Sequence, residues 1–138
     1  MSKVNLKSHP HCVFNLKFHL VLVTAYRRDA INRAILHDME MTIRRICQMA
    51  GGSVTEFSGE VDHIHALIEV NPSITPSKLV NIIKTSTSCM IRRDHWHSIK
   101  HKLWGKRFWS RSYCLISVGD GATTDIIKRY IQGQNKPS

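Results

Sequence analysis

Two short motifs carry the side chains best suited to chemistry in this sequence. The first, Asp62-His63-Ile64-His65, sets two imidazoles two residues apart. Residues i and i+2 of a strand point the same way. His63 and His65 therefore share one face, and Ile64, Ala66 and Ile68 take the other. Two imidazoles so placed suit one divalent metal ion, although a lone pair of this kind is more often two ordinary strand histidines. On a regular strand Asp62 points away from the histidine face, and Glu56 or Glu60 could act as an outer hydrogen-bonding group. The second motif is Tyr130-Ile131-Gln132-Gly133-Gln134. On a helix, residues four apart share a face, so Tyr130 and Gln134 stand together, with Ile127 and Ile131 as apolar anchors beside them. Read alone, Tyr130 is a half-buried tyrosine. A phenol with a pKa of about 10 is only ~0.1% ionised at neutral pH.

The elements that position these residues follow from hydrophobic periodicity. Phe14, Leu16, Phe18, Leu20 and Leu22 alternate with Asn15, Lys17 and His19, which predicts a strand over 12–24. Tyr26-Arg27-Arg28-Asp29 closes it as a basic loop. Ile31, Ile35, Met39, Ile43, Ile46 and Ala50 recur at three or four, so a helix runs over about 31–50 and ends at Gly51-Gly52. Residues 53–58 and 61–70 read as a hairpin turning at Gly59-Glu60. Thr75-Pro76 opens a second helix, with Leu79, Ile82, Ile83, Cys89 and Met90 as its buried stripe. Residues 94–111 are irregular and basic, and Tyr113 to Val118 form a further strand. Thr123 or Thr124 caps a last helix ending near Gln134. The order β-α-β-β-α-β-α predicts one α+β domain over 1–138. It is a ferredoxin-like (RRM-like) two-layer sandwich with an antiparallel sheet and one added helix.

Composition narrows the partner. The 138 residues hold 20 Lys plus Arg against 10 Asp plus Glu, a net charge of +10. Such an excess points to a polyanion, nucleic acid before an anionic membrane surface. No apolar run approaches the ~20 residues of a membrane span. The first ten residues lack the apolar core of a signal peptide. Cys12, Cys47, Cys89 and Cys114 form no CxxC pair and read as reduced, mostly buried thiols of a cytoplasmic protein. Lys84, Arg92, Arg93, Lys100, Lys102, Lys106, Arg107 and Arg111 accompany Trp96, Trp104 and Trp109, and the one acid among them is Asp94. Cations interleaved with aromatics suit an unpaired strand, with phosphates on the charges and bases on the rings. Some of those tryptophans could equally be core. Arg27, Arg28, Arg44 and Arg45 extend the basic surface.

The two motifs in this order resemble the HUH superfamily of single-strand nucleases, and more narrowly the single-tyrosine transposases, TnpA type, of bacterial insertion sequences. The resemblance rests on His19-Leu20-Val21-Leu22-Val23-Thr24-Ala25-Tyr26-Arg27-Arg28 and Val61-Asp62-His63-Ile64-His65. It continues through Pro76-Ser77-Lys78-Leu79-Val80 with Lys84, Phe108-Trp109-Ser110-Arg111-Ser112-Tyr113, and Tyr130-Ile131 with Gln134. It implies that His63, His65 and Gln134 hold a divalent ion, Mg²⁺ or Mn²⁺. Tyr130 would attack a DNA phosphate, giving a 5′-phosphotyrosine and a free 3′-OH that are rejoined later. It further implies single-stranded DNA with hairpins at the element's ends and a homodimer. From the basic and aromatic pattern itself, Arg27, Arg28, Lys84, Arg92, Arg93, Lys106, Arg107, Trp109 and Arg111 are expected to contact that DNA. Tyr26 and Tyr113 are then packing or DNA-contact residues. With only four residues beyond Gln134, the last helix is expected to dock when DNA binds.

Two alternatives share the same pattern. A non-catalytic RNA-recognition-like module would place aromatics on its central strands, where this sequence has Asn15, Lys17, His19, His63 and His65. A domesticated relative that processes chromosomal repeats would carry the same motifs. A phosphoesterase with paired histidine motifs would need a second HxT or HxS in a strand, and none is found.

Overall fold

The computed structural model describes residues 7–9, 12–14, 16–103, 107–119 and 123–134, with the backbone alone at 7–9, 12–14 and 123. In chain order the elements are β1 (Lys7–His9), β2 (Cys12–Phe14), β3 (Leu16–Val23), α1 (Arg33–Met49), β4 (Ser53–Gly59) and β5 (His63–Val70). They continue with α2 (Pro76–Asp94), α3 (Trp96–Ile99), β6 (Cys114–Ser117) and α4 (Thr123–Gln132). β1 and β2 pair as a separate two-stranded ribbon. The other four strands form an antiparallel sheet in the order β4-β5-β3-β6. This is the expected ferredoxin-like arrangement, with the histidine strand β5 beside β3 at the centre. The predicted strand over 12–24 is divided between β2 and β3. β1 was not foreseen, because Lys7–His9 carries no apolar alternation.

Alternation along β3 and β5 decides what each sheet face does. Leu20, Leu22, Ile64, Ala66 and Ile68 point to one face and are fully buried with Ile35, Met39 and Ile43 of α1 and Leu79, Ile83 and Ile91 of α2. Burying each such large aliphatic side chain contributes roughly 1.5–3 kcal/mol. Val21 and Val23 point to the opposite face, where Cys114 joins them and Ile127, Tyr130 and Ile131 of α4 cover them. The added helix therefore lies on the face that also carries His63 and His65.

Local chemistry sets the helix ends. Asn32 caps α1 by accepting a hydrogen bond from the Ile35 amide, so the helix starts after Asn32 rather than at Ile31. Its C-terminus closes with the Gly51 amide on the Gln48 carbonyl and the Gly52 amide on the Cys47 carbonyl. Gly51 sits at φ +81, as such an ending requires. In α2 the buried stripe is Leu79, Val80, Ile83, Thr87, Met90 and Ile91. Ile82 and Cys89 are exposed, contrary to expectation. At 100° per residue both fall about 80–100° off the midline of Leu79 and Ile83. Thr123 and Thr124 belong to the first turn of α4 rather than capping it.

Candidate active site

His63 opens β5, and Asp62 lies just before it in the turn. Strand alternation therefore does not govern Asp62, and the expectation that it points away from the histidines fails. Asp62 is buried. Its Oδ1 lies 2.9 Å from His63 Nδ1, and its Oδ2 lies 3.3 Å from the guanidinium of Arg27. A carboxylate only accepts, so His63 Nδ1 carries the proton and the lone pair of a neutral ring is left on Nε2. That is the tautomer a metal ligand needs. Arg27 reaches Asp62 from a turn in which Tyr26 and Arg27 both have positive φ, 59 and 53. Thr24 Oγ1 ties that turn by donating to the Arg28 carbonyl and to the Asp62 carbonyl.

His65 faces the same way as His63, two residues on. Its Nε2 lies 2.8 Å from Nδ1 of His19, and the two rings stack with centroids 5.1 Å apart. Burial pushes the His65 imidazole below its ordinary value, and His19 adds to this while Glu56 opposes it. A neutral ring keeps a lone pair available. Glu56 is near because of a bulge in β4 between Val54 and Glu56. The extra residue turns Glu56 and Ser58 to the histidine face, while Val54 and Phe57 stay on the core face. Glu60 is exposed in the turn, and its backbone amide donates to the His63 carbonyl.

Tyr130 and Gln134 do share a face. Tyr130 Oη lies 2.7 Å from Ser112 Oγ, and Gln134 Oε1 accepts from Ser110 Oγ at 3.1 Å. Burial pushes the Tyr130 phenol above its ordinary 10.0, against the Ser112 hydrogen bond, which favours the phenolate. Ser110 is placed by the sheet: its amide donates to the Val23 carbonyl, and Thr24 bridges Trp109. On the other side of β3, Val23 pairs with His63. Ser110 and His63 thus flank β3, two strand spacings or roughly 9–10 Å apart. Tyr130 packs on Val21 and Val23, whose cross-strand partners are His65 and His63. The helix is therefore docked on the histidine face. Among the described hydrogen bonds, neither Tyr130 nor Gln134 joins a histidine. Ser110 and Ser112 hold them instead, and neither serine stood out in the sequence except as part of a longer segment.

The donor set suits a divalent ion. Among the described residues no three His, Cys, Asp or Glu side chains cluster closely enough to hold one. Two neutral imidazoles with the amide oxygen of Gln134 would supply three ligands without charge. Binding through His65 Nε2 would displace the His19 contact, and binding through Gln134 would displace Ser110.

The basic region separates into different roles. Arg27 turns inward to Asp62 rather than presenting a free cation to DNA. Lys84 Nζ donates to the Ser110 and Arg111 carbonyls, at 2.8 and 3.3 Å. Trp109 is buried and donates its indole N–H to Thr87, and Phe108 is buried against it, so neither offers a face to a base. Trp96 is exposed. Arg93 is exposed and pairs with Asp94. Arg28 and Arg92 are half-buried, and Arg107 and Arg111 are exposed. Arg44 is engaged with Glu40 and the Val54 carbonyl. Tyr113 packs on the core and Tyr26 is exposed. Trp104 and Lys106 lie outside the described residues. Of the cysteines, Cys47 and Cys114 are buried as expected and Cys89 is exposed.

The family described as Transposase IS200 like matches residues 12–134, nearly the whole chain. The chain belongs to the IS200-like transposase family. A transposase of insertion sequence element IS200 from Salmonella typhimurium is 30% identical over 128 residues, covering 93% of this chain and 82% of that protein. The ISDra2 transposase TnpA of Deinococcus radiodurans is 26% identical over 125 residues, covering 89% and 86%. The IS200-like fold is also seen in a crystal structure of a chain described as a transposase from Deinococcus radiodurans. It has a TM-score of 0.85 and 23% identity, over 95% of this chain and 99% of that one. A REP-associated tyrosine transposase, solved bound to a REP hairpin, superposes with a TM-score of 0.58 at 9% identity, over 91% of this chain and 70% of that one. No helix among the described residues is long and apolar enough to cross a membrane.

Proposed function

We propose that this IS200-like transposase cuts and rejoins single-stranded DNA through a transient covalent bond to Tyr130. The observation that carries this reading is the placement of His63, His65 and Tyr130 on one face of the sheet, over Val21 and Val23. In the first step Tyr130 Oη bonds to the scissile phosphorus and the bond from phosphorus to the 3′-oxygen breaks. The phenolic proton is lost and the departing 3′-oxygen gains one. The 5′-phosphotyrosine retains the energy of the diester, so rejoining needs no nucleotide cofactor. Ser112 holds the phenol and favours its ionised form. Asp62, itself held by Arg27, fixes the tautomer of His63. A bound Mg²⁺ or Mn²⁺, held by His63, His65 and Gln134, would polarise the phosphate and offset its developing charge. Fixing nucleophile and phosphate in line supplies much of the remaining acceleration.

Each chain offers one such tyrosine, and two transposon ends must be handled, so the working unit is a homodimer with two sites. The net charge of +10 supports a DNA partner. A hairpin at the DNA end is supported by the solved transposase of similar fold bound to a REP hairpin.

The test uses single-stranded oligonucleotides from the ends of the native element, labelled at the 3′ end. A labelled protein band on a denaturing gel is expected with wild type and Mg²⁺, and is expected to vanish with Tyr130→Phe or EDTA. Tight binding with no adduct under any condition would retire the catalytic reading in favour of a binding module.

A further inference from the structure

A cleft of about 450 Å³ lies between α2 and the segment 107–111, beside the candidate active site and outside it. Its volume is that of a small-molecule site, roughly 300–1,000 Å³. The cleft is braced on both sides. Lys84 of α2 donates to the carbonyls of Ser110 and Arg111. One turn on, Thr87 accepts the indole N–H of buried Trp109. These ties fix the separation of the two walls. One wall presents Thr85, Ser88 and Cys89 from successive turns of α2, and the other presents Arg107 and Arg111. No acidic side chain is among its described lining residues. The Lys84 ammonium is held below the ordinary lysine range by burial and by the charge of Arg107, which marks a place short of negative charge.

Arg107, Ser110 and Arg111 also line a second cavity of about 170 Å³ together with Tyr26 and Gln134. The segment 107–111 is thus a partition, with Gln134 on one side and the cleft on the other. A strand with a phosphate at Gln134 would pass Arg107 and Arg111, which line the same cavity, and the cleft opens on the other side of those residues. The hydroxyls of Thr85 and Ser88 both donate and accept, which matches the mixed edge of a nucleobase rather than a bare anion.

We propose that this cleft is a nucleotide subsite: it takes one unpaired base of the bound strand, next to the scissile phosphate, with the flanking phosphates on Arg107 and Arg111. Stacking and hydrogen bonding of a single extruded base in a protein pocket carry selectivity in other nucleic-acid enzymes. Here they would select the base at one position of the strand. The inference rests on the reading of this protein as a single-strand DNA enzyme, and the experiment separates the two.

Cys89 is exposed in the cleft wall and serves as the reporter. Its alkylation by N-ethylmaleimide is followed by peptide mass spectrometry, with and without saturating single-stranded oligonucleotide. Saturation is read independently by fluorescence anisotropy. Bound single strand is expected to slow Cys89 alkylation roughly tenfold, and an oligonucleotide with one abasic position is expected to lose that protection at a single place in a scan. At that position wild type should lose about 5- to 150-fold in affinity. In Ser88→Tyr, where the ring fills the cleft, the same abasic change should cost little. Saturating binding with Cys89 alkylated at its free rate overturns the subsite and leaves the DNA reading intact. Protection insensitive to every abasic position also overturns it, because the strand then passes over the cleft without entering. Failure of single strands to bind at all removes the DNA reading itself.

Discussion

At the scale of single residues, the site is organised by hydrogen bonds that fix protons. Asp62 is the group that gives His63 a defined tautomer, and Arg27 is the cation that pairs with buried Asp62. Asp62→Asn keeps the size and removes the charge. Mn²⁺ affinity, measured by titration calorimetry, is expected to fall about 10- to 100-fold, as losing a partner behind a metal ligand does. Unchanged Mn²⁺ affinity would mean that His63 does not ligate through Nε2. Ser112 makes the second such bond. Burial raises the Tyr130 phenol above 10.0 and the Ser112 hydrogen bond opposes that rise. Ser112→Ala should therefore move the Tyr130 midpoint further up, read as the ultraviolet difference between each protein and its Tyr130→Phe counterpart. The stability consequence has a defined sign. The folded state binds more protons than the unfolded state above pH 10.0, so the stability this tyrosine contributes is present below that pH and lost as pH rises through its folded value. A midpoint in Ser112→Ala below that of wild type would show that Ser112 accepts from the phenol rather than donating to its anion.

At the scale of elements, α4 carries the proposed nucleophile, so the proposed chemistry depends on where it docks. It is held by Ile127, Tyr130 and Ile131 on Val21, Val23 and Cys114, and by the two serine contacts. Ile127 and Ile131 are half-buried, so truncating either to Ala costs about 1–2 kcal/mol of docking, less than a fully buried isoleucine. The double variant should lose amide protection throughout α4 while β3 and β5 keep theirs, and adduct yield should fall with it. Equal loss of protection in the sheet would show that α4 is part of the main cooperative unit instead. The bulge in β4 acts at the same scale. One inserted residue brings Glu56 to the histidine face without exposing Val54 or Phe57.

At the scale of the whole molecule, two basic cavities meet along one partition, and Arg107 and Arg111 serve both. Single-strand affinity should fall steeply with salt, with a slope of about −0.7 per neutralised phosphate. Arg107→Ala and Arg111→Ala are each expected to reduce that slope by about 0.7. Arg93→Ala should leave it unchanged, because Arg93 already pairs with Asp94. A slope unaffected by Arg107→Ala would take the strand off this path.

The sequence by itself determined the α+β order, the shared face of His63 and His65, and the pairing of Tyr130 with Gln134. Each follows from a period, two in a strand or four on a helix, that operates within one element. It also ended α1 correctly, because the glycine chemistry at Gly51 is local. Contacts between elements were decided by the tertiary structure. Asp62 escaped the alternation rule because it lies in the turn just before β5, which starts at His63. His19 met His65 because β3 lies beside β5. Trp109 turned from a stacking surface into core because its segment runs along the end of β3 and beneath α2. Arg27 turned inward because a left-handed turn aims it at Asp62. A basic or aromatic residue reads the same in sequence whether it faces solvent or a partner forty residues away. Only the packing of β3 against β5, α2 and α4 separates the two.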